Sequence, residues 1–222
     1  MSKLPLWIVV ATILLILFSW IGNAYSLPLE SLLSADGIRW MVSRMMEHFA
    51  DAPLAECVLF LLAGGVLNEC GILPTGKRHY SLKQKRGLWL TLGLAVLVSV
   101  MFCVVFLYPS GLLLSVRGEM ADSPFMEGLP CLLMVFVILL SNFYGLVSGR
   151  FLSGKDAVAA HLGWIRRGAS FFFTAFFYSQ WVAVVNYSHV MDLLPGDQIY
   201  WSWGLQAGYF ILLVLHLLFP VR

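Results

Sequence analysis

The chain has 222 residues, 60% of them hydrophobic and only 12% charged, with a formal net charge of +2. A soluble domain of this size leaves much of its surface to water and cannot hide that much apolar side chain, so the composition excludes a water-soluble globule and implies a polytopic membrane protein. Its positive charge lies in the connections between apolar runs and forms no basic patch with interleaved aromatics. That pattern argues against nucleic acid and makes the lipid bilayer the first partner.

Six apolar runs are long enough to cross a bilayer core of about 30 Å as helices. They cover approximately residues 5–25, 53–73, 88–108, 128–149, 168–190 and 199–219. None alternates like a barrel strand, and a lipid-exposed span must satisfy its own backbone, so all six are read as helices. The fold expected is an all-α integral membrane protein, a single membrane domain over residues 1–222. The first run follows Met1-Ser-Lys3 and is too long for a signal-peptide core, so it reads as an uncleaved span.

Between the first and second runs lies an amphipathic helix at about residues 35–50. Ser34 can cap it. Ile38, Met41, Val42, Met45, Met46 and Phe49 recur at helical spacing against Arg39, Ser43, Arg44, Glu47 and His48. It is too polar to span and is expected on the outer membrane surface or dipping in among the spans. A second amphipathic helix, about residues 155–167, is expected on the inner side, where Ala157, Val158, Ala160, His161, Leu162, Trp164 and Ile165 precede Arg166 and Arg167.

The loop at 74–87 sets the topology. It carries Lys77, Arg78, Lys83, Lys85 and Arg86, five of the chain's 14 Lys and Arg residues. With Arg150, Lys155, Arg166 and Arg167, the even-numbered connections hold nine basic residues. The odd-numbered ones hold three, Arg39, Arg44 and Arg117. The excess faces the cytoplasm, so both termini are expected inside. The chain is expected to cross its membrane many times.

No span has a charge at its centre, which counts against an autonomous ion-driven pump. The membrane-depth polar residues that stand out are Asn142, Gln180 and Asn186. An amide in lipid must find a partner, so each is either interhelical glue or part of a substrate or ion path. The four cysteines and five histidines fall at no metal-ligand spacing. No nucleophile–base pair, phosphate loop or paired carboxylates stand out, so no cofactor and no enzyme activity are expected. Ala63-Gly-Gly65 and Gly145-x-x-x-Gly149 allow close helix approach, and the second could support a dimer.

Three stretches, Leu33-Ser-Ala-Asp-Gly-Ile-Arg-Trp40, residues 49–53 and Ala63-Gly-Gly-Val-Leu-Asn-Glu-Cys-Gly-Ile-Leu73, resemble the early part of the p-aminobenzoyl-glutamate (AbgT-like) transporter family. Ser123-Pro-Phe125, Tyr144-Gly145 and the segment from Gln180 to Asn186-Tyr-Ser188 are similar to its middle part, in the same order. The resemblance implies an inner-membrane transporter of p-aminobenzoyl-glutamate and sulfonamides, built as a dimer. Each family subunit combines a helical scaffold with two re-entrant hairpins that form the substrate and cation site. Here the basic loop alone stands where the first hairpin would be, and the second also has no counterpart. No family substrate residue can be carried over. Two functions follow. The chain is the scaffold part of such a transporter, transport-related at most as a dimer or as a subunit beside another membrane protein. Alternatively it is a non-transporting scaffold or assembly partner.

Overall fold

The computed structural model describes residues 3–73, 80–107, 124–195 and 197–219. Eight α-helices follow one another there: α1 Leu4–Ala24, α2 Ala35–Ser43, α3 Met45–Ala50, α4 Leu54–Cys70, α5 Leu82–Leu107, α6 Pro124–Val147, α7 Gly154–Tyr187 and α8 Gln198–Leu218. A short 3₁₀ turn, Val190–Leu193, precedes α8. Six helical stretches are long and apolar enough to cross a membrane, and the described residues contain no strand. The all-α integral membrane class follows.

Side-chain caps written in the local sequence start three of the helices. Ser34 accepts from the Gly37 backbone N–H at 3.0 Å and caps α2. Ser81 and Gln84 form a reciprocal capping box at α5: the Gln84 N–H donates to Ser81 Oγ at 3.3 Å and the Ser81 N–H to Gln84 Oε1 at 2.9 Å. At α7, Asp156 Oδ2 accepts from the backbone N–H groups of Leu152 and Ser153, each at 2.9 Å.

Three expected boundaries change. α5 begins at Leu82 instead of 88, so Lys83, Lys85 and Arg86 stand on its first turns and not in a loop; Lys77 and Arg78 lie outside the described residues. The inner amphipathic helix at 155–167 and the span at 168–190 are one continuous helix of 34 residues. At 1.5 Å per residue it is about 51 Å long, well beyond the core thickness. The outer amphipathic helix at 35–50 is two helices, broken at Arg44, whose φ is −108° and ψ 11°.

The chain divides into two compact units. The first comprises Met1–Cys57 and Arg167–Arg222. There α1 leaves most of its apolar side chains exposed and fully buries only Ser19 and Gly22. Asn23 Nδ2 donates to the Leu29 carbonyl at 2.8 Å and folds the following loop back, with Leu29 and Leu32 buried. The second half of α7 meets α8 through Tyr178, whose hydroxyl donates to the Leu205 carbonyl at 3.1 Å and whose ring meets Tyr209 edge-on at 4.7 Å. Gly208 makes room, since a Cβ there would collide with the Tyr178 hydroxyl. Lower on the same pair of helices, buried His216 donates from Nδ1 to the Leu212 carbonyl at 2.8 Å and lies 3.0 Å from Thr174 Oγ1 through Nε2.

The second unit comprises Val58–Arg166. Val66, Cys70, Tyr144, Phe151 and Ala160 form its core. α5 runs along α6, and α4 packs closely on the first part of α7. A Cβ on Gly64 would strike the Trp164 ring, and one on Gly65 would lie 2.8 Å from the carbonyl oxygens of Ala160 and His161. The Ala63-Gly-Gly65 patch therefore does what small residues do in membranes, and lets two backbones touch. Gly145-x-x-x-Gly149 is used within the chain. Gly149 takes φ +74° after the end of α6. The Arg150 and Phe151 N–H groups both bond the Gly145 carbonyl at 2.9 Å, and the Phe151 ring covers Gly145.

Candidate functional site

The polar side chains of the first unit gather where α2 and α3 lie against α7 and α8. Trp40 stacks at an angle on His48 (4.5 Å between centroids) and on Tyr187 (4.4 Å), while Phe49 meets Phe176 edge-on at 5.5 Å. Of the apolar face read from sequence, Met41, Met45 and Phe49 turn partly inward, whereas Ile38, Val42 and Met46 stay exposed. The amphipathic segment is thus a docked element with a second apolar edge left bare.

Gln180 fixes the docking. Its Nε2 donates to the Met45 carbonyl at 2.9 Å, and a carbonyl can only accept, so this bond sets the amide's orientation. Its Oε1 then accepts from His48 Nδ1 at 3.3 Å, which places the imidazole proton on Nδ1. His48 Nε2 is left buried without a hydrogen-bond partner among the described residues.

Beside this stitch lies a pocket of about 240 Å³. Arg44, Glu47, His48 and Asp51 line one wall, Ser179 and Asn186 of α7 a second, and Gln206 and Tyr209 of α8 a third. The Arg44–Glu47 pair is 3.7 Å apart with both side chains mostly exposed, so it adds little stability. The pocket offers hydrogen-bond donors, acceptors and an aromatic wall, which suits a small polar solute. It brings no nucleophile against a base.

Asn142 belongs to the second unit. Its Nδ2 donates to the Ile138 carbonyl at 2.9 Å and to His161 Nε2 at 3.0 Å, while His161 Nδ1 donates to the Leu62 carbonyl at 3.2 Å. Two carbonyls at the ends of this chain permit one arrangement, in which His161 is neutral with its proton on Nδ1. α4, α6 and α7 are tied through it.

Of the three amides singled out in the sequence, two are thus spent in interhelical hydrogen bonds, and Asn186 lines the pocket. Sequence reasoning placed His48 on the polar face of the amphipathic helix without assigning it to a site, and did not pick out Asp51, Gln206 or Tyr209. Asp51 had a legible signal: Arg44, Glu47, His48 and Asp51 follow i, i+3, i+4, i+7 spacing, a polar stripe as regular as the apolar one. Among the described residues no group of three His, Cys, Asp or Glu side chains could hold a metal ion.

A model of the AbgT transporter family matches residues 75–218, 144 of the 222 residues. The matched segment contains Asn142, Gln180 and Asn186, and it starts beyond the stretches at 33–40, 49–53 and 63–73 that also carry the resemblance. No curated protein and no solved structure matches the chain.

Proposed function

Because this chain belongs to the AbgT transporter family, we propose that it is the helical scaffold part of such a transporter. It works in the bacterial inner membrane as a dimer or as a subunit beside another membrane protein, and it catalyses no reaction. The observation that carries this reading is how the membrane-depth amides are used. Gln180 and Asn142 are consumed in holding helices together. Such bonds contribute about 0.6 kcal/mol on average and up to about 1.7 kcal/mol, the scale of packing glue. A transport path needs polar groups free to exchange water for solute, and these two are not free. The absence of a charge at mid-span supports the same reading.

The experiment is reconstitution. Purified protein alone in liposomes should move no labelled p-aminobenzoyl-glutamate down an imposed ion gradient, while mild-detergent extraction from the native membrane should yield a particle of two copies or more. Uptake by the protein alone would overturn the scaffold reading. A strictly monomeric particle from the native membrane would overturn the assembly.

A further inference from the structure

The second unit carries an apolar groove of about 390 Å³ that the scaffold reading does not use. Leu88, Leu92 and Ala95 of α5, Val137 and Leu140 of α6, and Ile72 just after α4 are among its walls. α5 contributes from its first half and α6 from its second, and Ile72 lies just past the end of α4. The groove's α5 wall follows the positions Leu88, Thr91, Leu92 and Ala95. Extending that stripe one turn back reaches Gln84 and Lys85.

Two basic side chains lie near the start of α5 and the end of α4: a Cβ on Gly87 would lie 3.5 Å from the backbone of Ser148, so the first turns of α5 pass close to the segment that leads to Arg150. Lys85 is exposed, three residues before Leu88 on the groove face. Arg150 donates from Nε to the Glu69 carbonyl at 3.2 Å, which ties its guanidinium to the end of α4, and its side chain is exposed. The Tyr80 hydroxyl donates to the Ile72 carbonyl at 3.0 Å and ties the same corner. The Glu69 carboxylate lies 3.4 Å from the Asn68 amide as its hydrogen-bond acceptor. Trp89, one turn beyond Lys85, is exposed, and an exposed tryptophan near a helix end marks the headgroup level. Lys85 thus stands one turn from the groove wall, at the headgroup level that Trp89 marks, and Arg150 is tied to the end of α4.

We propose that this groove binds an anionic glycerophospholipid, with an acyl chain along Leu88–Ala95 and the phosphate between Lys85 and Arg150. Charge complementarity selects this occupant. A transmembrane helix of a second copy would gain nothing from the two cations, and a zwitterionic lipid would gain less. The proposal does not depend on whether the chain takes part in transport.

The test is native mass spectrometry of the full chain in detergent, titrated with dioleoyl phosphatidylglycerol or dioleoyl phosphatidylcholine. Retention of the phosphatidylglycerol should be the stronger, and Lys85→Gln should weaken it about five-fold, the effect of one cation near a lipid surface. Arg150 also holds the end of α4, so the exposed Lys85 carries the charge test by itself. Ala95→Phe, which fills the slot, should lower retention of both lipids. Equal retention of the two lipids, or no change in Lys85→Gln, would overturn the proposal. So would binding of glycerol phosphate, which has no acyl chain, as tightly as the lipid, or crosslinking of the groove to a second copy.

Discussion

Asn142 and Gln180 are polar residues that the apolar chain around them cannot leave unpaired, and each has been given partners that also fix its orientation. Asn142→Leu would remove the N–H facing His161 Nε2 and leave a lone pair in an apolar setting. The expected loss is about 1–2 kcal/mol, read from unfolding in mixed micelles. Asn142→Leu combined with His161→Leu should cost less than the two single changes summed, because neither polar group is then stranded. Glycines give an independent contrast. Gly65→Ala would set a methyl 2.8 Å from two backbone oxygens that cannot swing aside, at an expected cost of about 1–3 kcal/mol. Gly93→Ala, in a helix interior with nothing within 4 Å, should gain about 0.5–1 kcal/mol instead. Composition alone shows neither sign, since both glycines sit in apolar helices. The difference lies in what each faces.

Helix existence was legible at the scale of elements because long apolar runs in lipid have one solution. Helix ends were less so, and the errors have local causes. The start of α5 was written in Ser81-x-x-Gln84, a capping box inside a segment whose charges drew it toward a loop reading. Ser81→Ala should cost about 0.5–2 kcal/mol of α5 stability, seen as faster amide exchange at residues 82–86. The break at Arg44 was not legible, because a one-residue interruption leaves the 3.6-residue period nearly intact. Nor could the period say which half of the apolar stripe on α2 and α3 turns inward. That is decided by Gln180, 135 positions away from Met45. Gln180→Leu should therefore loosen α2 and α3 while α7 stays helical. The expected readout is increased exchange confined to residues 35–50, and an unchanged pattern there would show that the aromatic contacts of Trp40 and Phe49 suffice without the amide.

Over the whole molecule, orientation rests on charge. Six helical stretches can cross the membrane, and with nine basic residues in the even connections against three in the odd ones, one orientation keeps the excess on the cytoplasmic side. Placing Lys83, Lys85 and Arg86 on α5 strengthens this argument, because charges fixed on the first turns of a span lie within the distance from its end over which the bias acts. The check uses a variant with its four cysteines replaced by alanine, a mild change at Cys103 and Cys131, which are exposed, and a larger one at buried Cys57 and Cys70. In that background a cysteine at Lys83 should react with a membrane-impermeant maleimide only after the membrane is opened. A cysteine at Asp36, exposed on α2, should react while the membrane is intact. Both sites reacting before opening would place the two connections on one side and break the count of crossings. The reverse pattern, Lys83 from outside and Asp36 only after opening, would keep six crossings and invert the chain.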